Sequence, residues 1–118
     1  MPYLLILRRN QDRELGIPYE EMLERFQTWT RGLGETGVLR AVERLKPASE
    51  ALTLSYHDGE VVSEGRYDAA EDVIGYYLLD AEDLPSARQH AAACPILAAG
   101  GSVEIRETDP FMPAESSS

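Results

Sequence analysis

Residues 73–79, VIGYYLL, constrain the fold most, because this apolar run has no polar face. Alternate side chains of a strand point to opposite sides, so the run predicts a strand that is buried on both. One face is expected to carry Val73, Tyr77 and Leu79, and the other Ile74, Tyr76 and Leu78. Such a strand lies at the centre of a sheet, with something packed on each side.

A second strand of this kind is predicted over residues 3–7, YLLIL, which Arg8 and Arg9 close. A half-buried strand is predicted over 102–107, where Val103 and Ile105 point inward. Extended structure is also predicted over 38–42. These segments supply the remaining strands of one sheet.

A β-hairpin is predicted from the alternation of apolar and polar residues over 52–57 and the return strand over 61–63. The pair Asp58-Gly59 between them is favoured in a type I′ turn.

The first helix is predicted over 18–32, since Pro18 suits a first turn and apolar residues recur at helical spacing up to Leu33. Gly32, Gly34 and Gly37 are expected to stop it. A second helix is predicted from an N-cap at Asp83 to a point before Cys94-Pro95, with a shallow, alanine-rich packing face.

This order of elements predicts an α+β fold of the ferredoxin-like type, in which two helices cover one face of an antiparallel sheet. Because the two central strands are apolar on both sides, the other face also needs a cover. We therefore expect a homodimer in which a second copy supplies it. A mobile tail is expected over 109–118, after a single domain over 1–108.

Composition narrows the class of protein. The net charge of −10 disfavours nucleic acid and anionic membranes as direct partners. The single cysteine cannot form an internal disulfide, and the apolar start is too short for a signal peptide or a membrane span. A cytoplasmic location is the resulting expectation.

Several motifs run in an order that resembles the YCII-related family, in its branch with an Asp-Gly-Pro-Phe signature. They are IGYYLLD over 74–80, AEDL over 81–84, Cys94-Pro95 and GGSVEIR over 100–106. The signature itself is altered, because Glu64, Arg66 and Tyr67 stand where the branch has Asp, Pro and Phe. The resemblance implies a dimeric α+β barrel fold with a cleft between subunits. It does not carry over the family's histidine and carboxylate pair, since residues 18–32 contain no histidine.

The candidate site gathers at the altered signature. Glu64 is the acid/base candidate and Arg66 the anion anchor, with Tyr67, Tyr76, Tyr77 and Arg8 as further ligand-binding candidates. The alternative is a solvated turn with a surface ion pair, and Tyr76 and Tyr77 then serve as core or interface residues. For Arg8 and Arg9, solvent exposure of at least one is expected.

Other motifs point to structural roles. Gly32, Gly34 and Gly37 match a dinucleotide-binding pattern, but they follow a predicted helix, so a helix end is expected. We expect His57 to lie at the end of a strand and His90 to be exposed on the second helix. Cys94 is expected to be a packing residue. No bound metal or cofactor is expected.

The function predicted from these features is binding or transformation of a small organic anion in a cleft at a homodimer interface. An enzyme would use acid/base chemistry. The alternative is a non-catalytic regulatory or protein-interaction module, which fits the sigma factors that often accompany this branch of the family.

Overall fold

The computed structural model describes residues 1–10, 13–64 and 72–109, and of Glu64 it describes only the backbone. Two α-helices, six strands and one 3₁₀ helix, Ala48–Glu50, lie in these ranges. In chain order the α-helices and strands are β1 Pro2–Arg9, α1 Tyr19–Glu35, β2 Leu39–Arg44, β3 Thr53–His57, β4 Glu60–Glu64, β5 Asp72–Asp80, α2 Leu84–Ala92 and β6 Ser102–Glu107.

Four strands form an antiparallel sheet in the order β2-β5-β1-β6, and β3 and β4 form a separate two-stranded sheet. The two strands predicted to be central, β1 and β5, are central. One core cluster joins Leu33 of α1 and Ala91 of α2 to Leu5 of β1, so both helices cover the same face of the sheet. The predicted α+β, ferredoxin-like fold is confirmed.

The core lies between the helices and this helix-side face. Leu5, Leu79 and Ile96 are its largest fully buried side chains, each with an exposed fraction of 0%. Burial of these side chains removes apolar surface from water and so contributes to the stability of the domain.

Helix α1 extends three residues past its predicted end at Gly32, which lies within the margin of about 2–4 residues on a predicted helix boundary. The helix continues through Gly32 and Gly34 to Glu35. It ends where Gly37 adopts a positive φ of 77° and the N–H of Val38 donates to the carbonyl of Leu33. Glycine is required only at this last position, because a left-handed backbone strains other residues. The glycine pattern is therefore a helix end, as expected.

The predicted faces of β5 are wrong at one end of the strand. Leu7 lies opposite Gly75, whereas Arg8 lies opposite Val73, so the register shifts at Ile74. This bulge turns Ile74 toward the helix-side core. Val73 then shares its face with Arg8. The rest of the strand follows the predicted alternation, with Tyr77 and Tyr76 on opposite faces.

The second face of the four-stranded sheet, which we call the outer face, is apolar across its two central strands. Leu4 lies opposite Leu78, and Ile6 lies opposite Tyr76. All four side chains are half-buried, and none belongs to a core cluster in the described part of the chain.

The hairpin β3-β4 matches its prediction, including the turn, where Asp58 and Gly59 have positive φ values of 52° and 82°. Among the described residues, its strands pair only with each other and form a sheet separate from the four-stranded one. One of its faces carries Leu54 and Tyr56, which are 62% and 74% exposed. The hairpin thus adds an uncovered apolar surface to the chain.

The predictions for the C-terminal half are largely confirmed. Asp83 caps α2 by accepting a hydrogen bond of 2.9 Å from the N–H of Ser86, and Ala87 and Ala91 are buried. His90 departs from its expected exposure, because it is half-buried and its carbonyl accepts a hydrogen bond from the Trp29 indole.

Candidate functional site

A cavity of about 740 Å³ lies between α1 and the helix-side face of the sheet, toward the edge strand β2. We call it the α1 cavity. Its lining is mostly apolar, with a few polar and charged side chains. The lining residues are Leu7, Arg9, Leu15, Tyr19, Met22, Leu23, Phe26, Gln27, Thr30, Arg31, Val42, Glu43, Arg44, Ile74, Gly75, Tyr77 and Ile96. A volume of this size is typical of small-molecule sites.

The local sequence creates the space. Met22, Phe26 and Thr30 lie four residues apart on α1 and so share the side of the helix that faces the cavity. On β5 the corresponding position is Gly75, which has no side chain. A Cβ atom at Gly75 would lie 2.8 Å from the carbonyl oxygen of Glu43, so the absent side chain also lets β2 approach β5.

Tyr77 contributes a polar group that is held by two contacts in the α1 cavity. Its hydroxyl lies 2.6 Å from the hydroxyl of Thr30, and its ring centroid lies 4.5 Å from that of Trp29. Burial raises the pKa of Tyr77 above its ordinary value of 10.0, and the hydrogen bond with Thr30 opposes part of that rise. The phenol therefore stays protonated at neutral pH and acts as a hydrogen-bonding group.

The charged residues of the lining are mainly arginines. Arg9 donates a hydrogen bond of 2.5 Å to the carbonyl of Arg13. The side chains of Arg31 and Arg44 make no hydrogen bond or ion pair with any residue of the described ranges. Among the described residues, Glu43 is the single acidic member of the lining. Positive charge therefore exceeds negative charge in the part of the lining that the structure describes.

The structure divides the residues predicted for the site. Tyr77 lines the α1 cavity, whereas Tyr76 and Arg8 lie on the outer face. There the Arg8 guanidinium forms an ion pair of 3.1 Å with Glu104. Arg66, Tyr67 and the side chain of Glu64 lie outside the described residues, and so their predicted roles stay predictions.

Sequence reasoning missed Arg31, Arg44 and Thr30 as members of a site. Arg44 ends β2 and lies opposite Gly75, and Arg31 follows Thr30 on α1. A polar residue inside the apolar stripe of Met22 and Phe26 was the available signal for Thr30. For the arginines no local signal exists, because only the packing of α1 beside β2 brings them to one cavity.

Cys94 is a packing residue, as expected. It is 2% exposed, and burial raises the pKa of its thiol from the ordinary 9.0 to about 12.

We expect native protein at pH 8 to react far more slowly with a thiol reagent than urea-unfolded protein, as measured by the absorbance of released thionitrobenzoate. Only the unfolded thiol ionises near pH 9. The contribution of Cys94 to the free energy of unfolding should therefore decline as the pH rises from 9 toward 12. Equal reaction rates in the two states would contradict this burial.

The chain matches the family model of the YCII-related domain over residues 1–112. This match covers nearly all of the 118 residues, and so the chain belongs to the YCII-related family. A search of curated proteins finds no matching relative. Within the ranges that the structure describes, no helix combines the length and the apolar character needed to cross a membrane.

Proposed function

We propose that this YCII-related protein binds a small organic anion, and that the α1 cavity holds it. The observation that carries the proposal is the reversal of charge at this cavity. The whole chain has 11 basic and 21 acidic residues, but among the described residues three arginines and one glutamate line the cavity. An acidic protein that places arginines around an apolar space favours a ligand of negative charge.

The arginines suit such a ligand chemically. A guanidinium presents several N–H donors in a planar fork, which matches the oxygens of a carboxylate or phosphate. Arg31 and Arg44 have no side-chain partner among the described residues, so their donors are available. The neutral phenol of Tyr77 adds a hydrogen-bonding group inside the cavity.

This proposal concerns binding of the anion and does not require its chemical transformation. If the ligand is also transformed, Glu64 is the acid/base candidate, because it ends the strand β4 shortly before β5 and carries a carboxylate at the altered signature. Arg66 is then the anion anchor and Tyr67 a further ligand-binding candidate, as predicted from the sequence.

Replacement of Arg44 by alanine should weaken binding of organic anions about tenfold or more, since charge-assisted hydrogen bonds are lost. The measurement is a thermal-shift screen of small organic acids on the wild-type protein, followed by titration of each hit on the variant. Arg88→Ala is the matched control, because Arg88 is exposed on α2 and does not line the α1 cavity. A hit that binds Arg44→Ala and wild type equally would place the anion elsewhere.

We also propose that the protein is a homodimer assembled through the outer face. The support is the half-buried apolar set Leu4, Ile6, Tyr76 and Leu78, which no core cluster of the described chain includes. Association of two such faces would remove this apolar surface from water. Tyr76 and Arg8 would then lie at the subunit interface, where an inter-subunit cleft is expected.

Leu78→Arg should convert such a dimer to a monomer, because a buried, unpaired charge at the centre of the interface is costly. Size-exclusion chromatography with light scattering measures the mass of both proteins at micromolar concentration. Leu97→Arg, on an exposed side chain outside the sheet, is the control. A folded wild-type monomer would contradict assembly through the outer face.

The hairpin favours a second candidate function, a protein-interaction module. Leu52, Leu54, Tyr56 and Val61 are each at least 60% exposed, and a cluster of this kind is typical of a binding surface. Regulation together with a sigma factor belongs to this candidate, and it depends on membership of the Asp-Gly-Pro-Phe branch, which stays a prediction. Loss of a partner from Tyr56→Ser protein, with anion binding intact, would support this function.

A further inference from the structure

We infer that the ligand of the α1 cavity is an amphipathic organic acid, with one anionic head and an apolar body that carries a hydrogen-bond acceptor. This inference rests on the proposed function and specifies its ligand. Small polar organic anions, such as short dicarboxylates, satisfy the proposed function but not this inference.

The apolar body is required by the walls of the cavity. Leu7 and Ile96 are buried in the core, and Met22, Phe26 and Ile74 are half-buried around the same space. A small polar anion would leave these walls in contact with water. An aliphatic or aromatic body would cover them, and the covered apolar area would contribute to affinity.

The anionic head is placed by the edge strand. Arg44 lies at the end of β2, opposite Gly75, and is exposed to solvent. Arg31 is also exposed, on α1. The head can therefore meet a guanidinium at the border of the cavity while it stays partly hydrated, which avoids the cost of burying a full charge. The body then extends toward Phe26 and Ile96.

The acceptor on the body is indicated by the two hydroxyls of Tyr77 and Thr30. Each hydroxyl carries one proton, and one of these two protons forms the hydrogen bond between them. Neither hydroxyl makes a further hydrogen bond to a residue of the described ranges. The second proton is therefore available to an oxygen atom of the ligand. Contact with the Trp29 ring holds the phenol in place for that purpose.

Calorimetric titration with four probes tests the inference: decanoate, a decanoate with one keto group on its chain, decanol and succinate. On wild-type protein we expect keto-decanoate to bind about three- to tenfold more tightly than decanoate, the gain from one neutral hydrogen bond. Decanoate should in turn bind more tightly than succinate, and decanol most weakly of the three chain compounds. Several positions of the keto group are compared, so that one can reach Tyr77.

Two variants separate the contributions. The double variant Tyr77→Phe with Thr30→Val should remove the preference for keto-decanoate, so that the plain and keto acids bind alike, because it deletes both hydroxyls and keeps the aromatic ring. Arg44→Ala should weaken both acids about tenfold and leave decanol unaffected. Thermal unfolding of each variant checks that it is folded before titration.

The outcomes distinguish the inference from the proposed function. Tighter binding of succinate than of decanoate would overturn the inference and keep the proposed function. Equal binding of the plain and keto acids at every keto position would contradict the inference that the body of the ligand carries a hydrogen-bond acceptor. If decanol binds as tightly as decanoate, or if no acid binds, recognition of an anion fails and the proposed function falls with it.

Discussion

Leu79→Ala should lower the free energy of unfolding by about 2–5 kcal/mol, the range measured when buried leucines are truncated in well-packed cores. Leu79 lies on the central strand β5 and has an exposed fraction of 0%. The substitution removes buried apolar atoms and leaves a cavity. The strand β5 cannot move to close this cavity, because it is hydrogen-bonded to β2 on one side and to β1 on the other. A loss of this size is a large part of the about 5–15 kcal/mol that holds a typical domain folded.

Urea unfolding followed by circular dichroism gives the measurement, with the slope of the transition checked for constancy. Leu97→Ala is the matched control, since Leu97 has the same side chain but is 44% exposed. If the two variants lose the same free energy, Leu79 does not occupy the centre of the core.

Gly75→Ala is expected to destabilise the protein by about 1–3 kcal/mol, as overpacking does in tightly packed sites. The added Cβ would lie 2.8 Å from the carbonyl oxygen of Glu43, which belongs to the backbone and has little freedom to move. Relief of this contact requires β2 to shift away from β5. Because Arg44 lies opposite Gly75, the shift should also weaken anion binding at the α1 cavity.

Gly32→Ala provides the comparison. Gly32 lies inside α1, and a Cβ built there meets nothing within 4 Å, so the variant should gain roughly 0.5–1 kcal/mol from better helix propensity. Both substitutions add the same methyl group, so opposite signs isolate the effect of contact. A stable Gly75→Ala protein with unchanged binding would show that β2 can yield without consequence.

Local sequence predicted those parts of the fold that depend on short-range chemistry. Asp58-Gly59 specifies its turn because both positions need positive φ, and Asp83 specifies a helix start because its carboxylate accepts from the Ser86 N–H. The central position of β5 followed from its two apolar faces. The family was also accessible from the order of its motifs.

The differences from prediction arose where packing overrides local preference. Gly32 and Gly34 lower helix propensity, but α1 continues past them because Leu33 between them is buried against the sheet. The bulge at Ile74 depends on how β5 pairs with β1, and no periodicity within a strand records it.

The candidate site was predictable only in part for the same reason. Tyr77 was identified as a possible ligand-binding residue because it lies in a strongly patterned strand. Arg31 and Arg44 belong to different elements and meet at one cavity only through the tertiary fold. Their separation in sequence hides the concentration of positive charge that defines the cavity.

The hairpin β3-β4 has a consequence for the dynamics of the protein. An isolated two-stranded sheet is at best marginally stable in water, and this hairpin exposes Leu54 and Tyr56 on one face. Its backbone amides should therefore exchange with solvent deuterium by local opening, well before those of β1 and β5. Any partner that covers the hairpin will slow that exchange, so the exchange rate of these few amides reports directly on whether the apolar surface is occupied.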